Sequence, residues 1–126
     1  MCNSAPSEIL SIIALNNIGK FLPQNIKKIR QNILLFGEFV AEHQIISSFT
    51  PPKAGSTSFI KLNIENSSLE FSNHLVEKTG IMTVPSEMFE YSGKYIRVGF
   101  GRNNMPEVLD RLDKYFKTIM PVHNNV

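Results

Sequence analysis

The chain is 126 residues long, 42% apolar and 19% charged, with a formal net charge of +2 and a single cysteine. That length supports one compact domain with a real core and not two. The basic residues are dispersed, which gives no continuous surface for nucleic acid, and the lone Cys2 excludes an internal disulfide framework and fits a reducing compartment.

No apolar run reaches the length of a membrane span, and no basic region followed by an apolar signal core opens the chain. A soluble cytoplasmic protein without membrane or nucleic-acid partners is expected. Met1 to Pro6 leads almost directly into a dense apolar segment, which reads as a chain cut from a larger protein. Ser4 to Glu8 carries helix-start chemistry: hydroxyl caps, a proline suited to the first turn, and an acid near the positive end of the dipole. Ile9, Leu10, Ile12, Ile13, Ala14 and Leu15 then form a helix that is apolar almost all round. One small layer of structure cannot bury such a helix on every side, so an exposed apolar surface and a covering partner are expected.

Asn16 to Leu22, with Gly19, breaks this pattern, and Pro23 is read as the start of the next helix. Ile26, Ile29, Ile33, Phe36 and Val40 recur at spacings of three and four, which predicts a long amphipathic helix ending near Glu42 or His43. Ile45–Phe49 reads as a short strand closed by Pro51 and Pro52, and Lys53 to Ser58 as a loop. Ile60, Leu62 and Ile64 alternate with polar residues as a one-sided strand. Ser67 and Glu70 form a capping-box pair, Phe71, Leu75 and Val76 a buried stripe, and Gly80 a helix end. Ile81 to Val84 predicts a short strand, and Pro85 to Lys94 a loop.

In Tyr95–Phe100, Ile96, Val98 and Phe100 alternate with Tyr95, Arg97 and Gly99, the period of a half-buried strand. Arg97 is therefore expected on the face away from the core. Its planar fork suits a bidentate grip on a carboxylate, although a solvated strand charge or a cross-strand ion pair answers to the same pattern. Asn104 caps the last helix, with Leu109, Leu112, Phe116 and Ile119 inward and Asp110–Lys114 and Asp113–Lys117 paired outside, until Pro121. The expected fold is α+β: a small, mostly antiparallel sheet with helices on one face, preceded by a long helical segment.

The chemistry is sparse. His43, His74 and His123 sit at unrelated places, Cys2 has no histidine nearby in sequence, and Gly99-Phe100-Gly101 lacks the turn of a phosphate loop. No catalytic residue, metal site or cofactor-binding residue is assigned.

Four segments nevertheless resemble class I/II (fold type I) pyridoxal-phosphate aminotransferases. Cys2 to Leu10, followed by Ala14-Leu15, resembles the segment downstream of that family's cofactor lysine. Pro52 to Ile60 is similar to its proline–glycine loop, and Leu75 to Pro85 to the helix–strand step ending at a V-x-P-G motif. Tyr95 to Gly101 resembles the closing strand, whose arginine binds the substrate α-carboxylate. The four occur in the family's order and cover nearly the whole chain.

The resemblance implies that residues 1–126 are the C-terminal small domain of an aminotransferase, with Arg97 as its substrate-binding residue and pyridoxal 5'-phosphate as the cofactor of the full-length enzyme. It further implies an amino-acid and a 2-oxo-acid substrate, a missing large domain that carries the cofactor lysine, a homodimer, and no activity in this chain alone. Ser86 stands where many members have glycine. Arg102, just past the strand, is expected to neutralise a helix or surface acid. Two alternatives keep the same sequence: a free-standing α+β binding or regulatory module, or the small domain of a pyridoxal-phosphate carbon–sulfur lyase or decarboxylase.

Overall fold

A computed structural model describes residues 4–119. Cys2, Pro121 and His123 lie outside the described residues. The elements run α1 (Ala5–Asn16), α2 (Ile18–Glu42), β1 (Ile46–Ser48), β2 (Thr57–Leu62), α3 (Ser68–Thr79), β3 (Val84–Pro85), a 3-10 turn (Ser86–Phe89), β4 (Tyr95–Gly99) and α4 (Met105–Ile119). The strands form one sheet in the order β1-β2-β4-β3, with every pairing antiparallel. This is the expected α+β architecture.

Strand alternation sorts the sheet into two faces. Ile46, Ile60, Leu62 and Ile96 point into the core, where they meet Phe36 and Phe39 of α2, Phe71 and Leu75 of α3, and Met105, Leu109, Tyr115 and Phe116 of α4. Phe100, just past β4, is fully buried, and Phe36 packs edge-on against it at 5.6 Å between ring centroids. The register pairs Phe59 with Arg97 and Lys61 with Tyr95, so these four share the opposite face.

Local chemistry explains most element ends. Ser67 Oγ accepts from Glu70 N at 3.1 Å while Glu70 Oε2 accepts from Ser67 N at 3.3 Å, a complete capping box. Gly80 closes α3 in the left-handed region at φ 71°. Asp110–Lys114 and Asp113–Lys117 pair at 2.7 Å on the outside of α4.

Several expectations need correcting. Only Asn17 leaves helical geometry between the first two helices, and α2 begins at Ile18 with Pro23 inside it. Proline's fixed φ is compatible with a helix, and its missing N–H removes a single bond, to the Gly19 carbonyl. Ser4 occupies the first cap, but its side chain makes no cap bond. Strand β2 starts at Thr57, inside the expected loop. Val76 is exposed, because the buried stripe of α3 runs through Ser68, Phe71, Ser72 and Leu75, and the next residue turns outward.

Strand β3 is shorter than expected because residues 81–83 bond to α3 instead of the sheet. Ile81 N donates to Thr79 Oγ1 at 3.1 Å, and Thr83 Oγ1 pairs with Ser72 Oγ at 2.9 Å. A cavity of about 380 Å³ remains where that segment diverges, lined by residues that include Met82, Thr83, Val98, Met105 and Leu112.

The apolar first helix buries none of its residues: Ile9, Leu10, Ile12, Ile13 and Leu15 all stand exposed, the least of them at 53%. The exposed stripe continues into α2 through Ile18, Phe21, Leu22 and Ile26. The amphipathic reading of α2 therefore holds for burial only from Ile29 onward.

One polar residue inside that stripe ties the two halves of the fold together. Asn32 is buried, and both protons of its amide are used: Nδ2 donates to Phe100 O at 2.8 Å and to Arg102 O at 2.7 Å. Removing the donor orphans two carbonyls at once. Asn32→Ala is expected to destabilise the fold by about 2–3 kcal/mol, read from the urea unfolding midpoint, and Asn32→Asp by more, since it sets carboxylate oxygens against carbonyl oxygens.

Candidate functional site

The uncovered face of the sheet carries the chemistry. Arg97 sits in the middle of β4, paired with Phe59 of β2 on one side and Val84 of β3 on the other. Its side chain is exposed, and none of the ion pairs among the described residues includes it. The cross-strand ion pair that the sequence allowed is therefore absent among the described residues.

One aromatic ring meets this arginine, and further rings back that one. Its guanidinium carbon lies 5.6 Å from the centroid of Phe89. Phe89 meets Phe59 edge-on at 5.4 Å, and Phe59 stacks on Tyr95 at 5.6 Å with an interplanar angle of 13°. Tyr91 adds a tilted contact to Tyr95 at 5.5 Å. Gly93 fits between those two tyrosines because it has no side chain: a Cβ there would fall 2.4 Å from the Tyr91 ring and 2.7 Å from the Tyr95 ring.

The turn that delivers Phe89 is held by a buried polar network absent from the sequence reading. Ser68 and Ser86 are both fully buried. The Ser68 hydroxyl donates its one proton to Glu87 Oε2, so the 2.8 Å contact between the two serines has Ser86 as donor. Ser86 Oγ in turn accepts from Tyr95 N at 3.3 Å, and Glu87 Oε1 accepts from Leu69 N in the first turn of α3. Ser86 thus fastens the turn to α3 and to the start of β4.

Past the turn, Glu90 and Lys94 adopt left-handed backbone at φ 56° and 57°, which non-glycine residues rarely do. Lys94 is held by its own side chain, whose Nζ donates to Ile64 O and Glu65 O, each at 2.7 Å.

The remaining sequence candidates are structural or unengaged. His43 bridges Phe39 O and Asp113 Oδ1, and His74 Nδ1 bonds Tyr115 Oη at 2.6 Å. Arg102 is exposed and, contrary to expectation, pairs with no acid among the described residues; only its carbonyl is used, by Asn32. The described residues include no cluster of metal-ligating side chains. Of the lysines, Lys94 is bonded to two carbonyls, and Lys114 and Lys117 are paired with Asp110 and Asp113 on the exposed side of α4.

The hydrogen bond from Ser68 is the largest cause holding the Glu87 carboxyl below its ordinary value of 4.5. A carboxylate lowered in the fold adds stability above that ordinary value and loses it as pH falls through the lowered one. Wild type is therefore expected to exceed Glu87→Gln in urea midpoint at neutral pH, with the gap closing as pH falls below 4.5. Asp113, lowered mainly by its bond from Lys117, titrates in both proteins and leaves the difference unchanged.

No protein-family model matches the chain, and no curated protein matches its sequence. Solved structures do share its fold. A PLP-dependent aminotransferase from Streptococcus suis 89-1591 superimposes with a TM-score of 0.83 at 24% identity, over 98% of this chain and 33% of that one. A PLP-dependent cyclase gives 0.80 at 20% identity, over 94% of this chain and 33% of that one. Alanine aminotransferase from Pyrococcus furiosus gives 0.69 at 21% identity, over 79% of this chain and 26% of that one. The chain thus has the fold of a unit that occupies a quarter to a third of these larger enzymes. No helix among the described residues is long and apolar enough to cross a membrane.

Proposed function

We propose that residues 1–126 form the C-terminal small domain of a cytoplasmic, homodimeric, pyridoxal-phosphate-dependent aminotransferase, and that Arg97 is its substrate-carboxylate ligand. One observation carries this reading: the exposed guanidinium stands without an ion-pair partner among the described residues, on the uncovered face of a sheet whose fold recurs in pyridoxal-phosphate enzymes. The apolar surface of α1 supports a large domain and a second subunit as the structures that cover it.

In the intact enzyme, Arg97 holds the carboxylate of the incoming amino acid or 2-oxo acid through two parallel charge-assisted hydrogen bonds. Gripping that end fixes which bond of the substrate Cα is presented to the reacting centre. Pyridoxal phosphate, when bound, supplies the electron sink, and the protein supplies orientation. The grip works on either substrate because both carry the same carboxylate.

Arg97→Ala in the intact enzyme is expected to cost about 2–5 kcal/mol of transition-state binding, seen as a fall in kcat/KM for both substrates. Cofactor absorbance stays unchanged. Arg97→Lys fails substantially as well, because an ammonium cannot reproduce the planar fork. A kcat/KM within a factor of about two of wild type for Arg97→Ala rejects the carboxylate role.

With the cofactor lysine carried by a large domain, residues 1–126 alone are expected to be inactive. Borohydride treatment with pyridoxal phosphate is expected to trap only scattered surface adducts; one stoichiometric adduct on a single lysine contradicts this.

The cyclase with the same fold favours a second reading, in which the same domain serves another pyridoxal-phosphate reaction. Formation of a 2-oxo acid from the amino donor, assayed in the intact enzyme, separates the two.

A further inference from the structure

We propose that Phe89 is a positioning residue for Arg97: its ring supports the guanidinium and holds the fork pointing away from the sheet. This rests on the carboxylate-binding reading of Arg97 given above. A guanidinium on an open sheet face has several rotatable bonds and no ion pair among the described residues to fix it. The negative face of an aromatic ring attracts it within about 6 Å. At 5.6 Å, Phe89 lies inside that range.

The ring is itself held. Phe59 braces it edge-on, and Tyr95 braces Phe59 by stacking. The backbone beneath it is fixed at both ends, by the Ser68–Ser86–Glu87 network on one side and by the left-handed Glu90 on the other. Backbone held in a sparsely populated region is kept by its surroundings, and such segments cluster where a side chain must be presented in one place. A phenyl ring offers no carboxylate or carbonyl oxygen to the guanidinium, so its N–H donors stay free for the bidentate contact to a carboxylate. A ring under Arg97 therefore restricts the arginine without competing for its donors, which an acid in the same place would do.

The test is steady-state kinetics in the intact enzyme on Phe89→Leu, Phe89→Tyr, Arg97→Ala and the double variant Phe89→Leu/Arg97→Ala. Loss of an exposed cation–π contact predicts that Phe89→Leu raises KM for both substrates about two- to fivefold with kcat nearly unchanged. Phe89→Tyr keeps the ring and restores the wild-type KM. In the Arg97→Ala background, Phe89→Leu adds nothing, because its effect runs through the arginine.

Three outcomes overturn the proposal while leaving the role of Arg97 intact: a wild-type KM in Phe89→Leu, failure of Phe89→Tyr to restore it, or an equal rise in the Arg97→Ala background. A fall in melting temperature of Phe89→Leu with no change in KM makes the ring structural and also overturns it. An Arg97→Ala enzyme with undiminished kcat/KM rejects the carboxylate reading itself, and this proposal with it.

Discussion

Both hydrogen bonds of the Asn32 amide cross the fold, from the middle of α2 to the chain just beyond β4, 68 and 70 residues later. The placement of β4 within the sheet leans on that clamp. It fixes Phe100 in the core beside Phe36 and so sets the depth of β4. Depth and register together decide which side chains of β4 turn inward, and a slip of one residue would bury Arg97 and expose Ile96. An apolar residue at position 32 could not hold two carbonyls. Hydrophobic burial is non-directional, and here a buried amide adds the direction.

The two faces of the sheet follow opposite rules. On the inner face the large side chains are apolar and mostly enclosed, and the buried polar groups are satisfied internally: Asn32 by carbonyls, Ser72 by Thr83, and Ser68 and Ser86 by each other, by Glu87 and by backbone amides. On the outer face the aromatic rings touch one another, yet Phe59, Phe89 and Tyr91 each keep a third to a half of their surface exposed. A closed polar network stabilises, whereas an open cation beside open rings stays available for a ligand. The difference lies in how far each group's own chain satisfies it.

Period-two and period-3.6 patterns were readable in the sequence because they depend only on near neighbours. The alternation around Arg97, the capping box at Ser67 and the left-handed exit at Gly80 all follow from that local chemistry. What escaped was long-range or competitive. Asn32 looked like an ordinary polar residue beside an apolar stripe, since its partners lie far along the chain. The strand expected at Ile81–Val84 shortened because Thr79 and Ser72 offered closer partners to residues 81–83 than the sheet did. Gly19 and Pro23 are breakers in isolation, but a 25-residue helix absorbs the loss of one bond. The aromatic shelf was hidden for another reason: Phe89 and Tyr91 fall in a loop, where no periodicity assigns a side chain to a face.

Phe59 lies opposite Arg97 only through the β2–β4 register, which pairs segments far apart in the chain. The shelf exists only once three segments converge: β2 brings Phe59, the 3-10 turn brings Phe89, and β4 brings Tyr95 and Arg97. Each segment is anchored differently, by sheet pairing, by the serine–glutamate network, and by the Asn32 clamp. A change in any anchor alters the geometry around the same guanidinium without touching it. The fold therefore concentrates three independent constraints on one side chain that has no ion pair of its own among the described residues. For a surface charge, such constraint would give only a small gain in stability, because a solvated arginine needs no fixed direction. For a group that must meet a carboxylate at a set angle, direction is the larger part of its contribution.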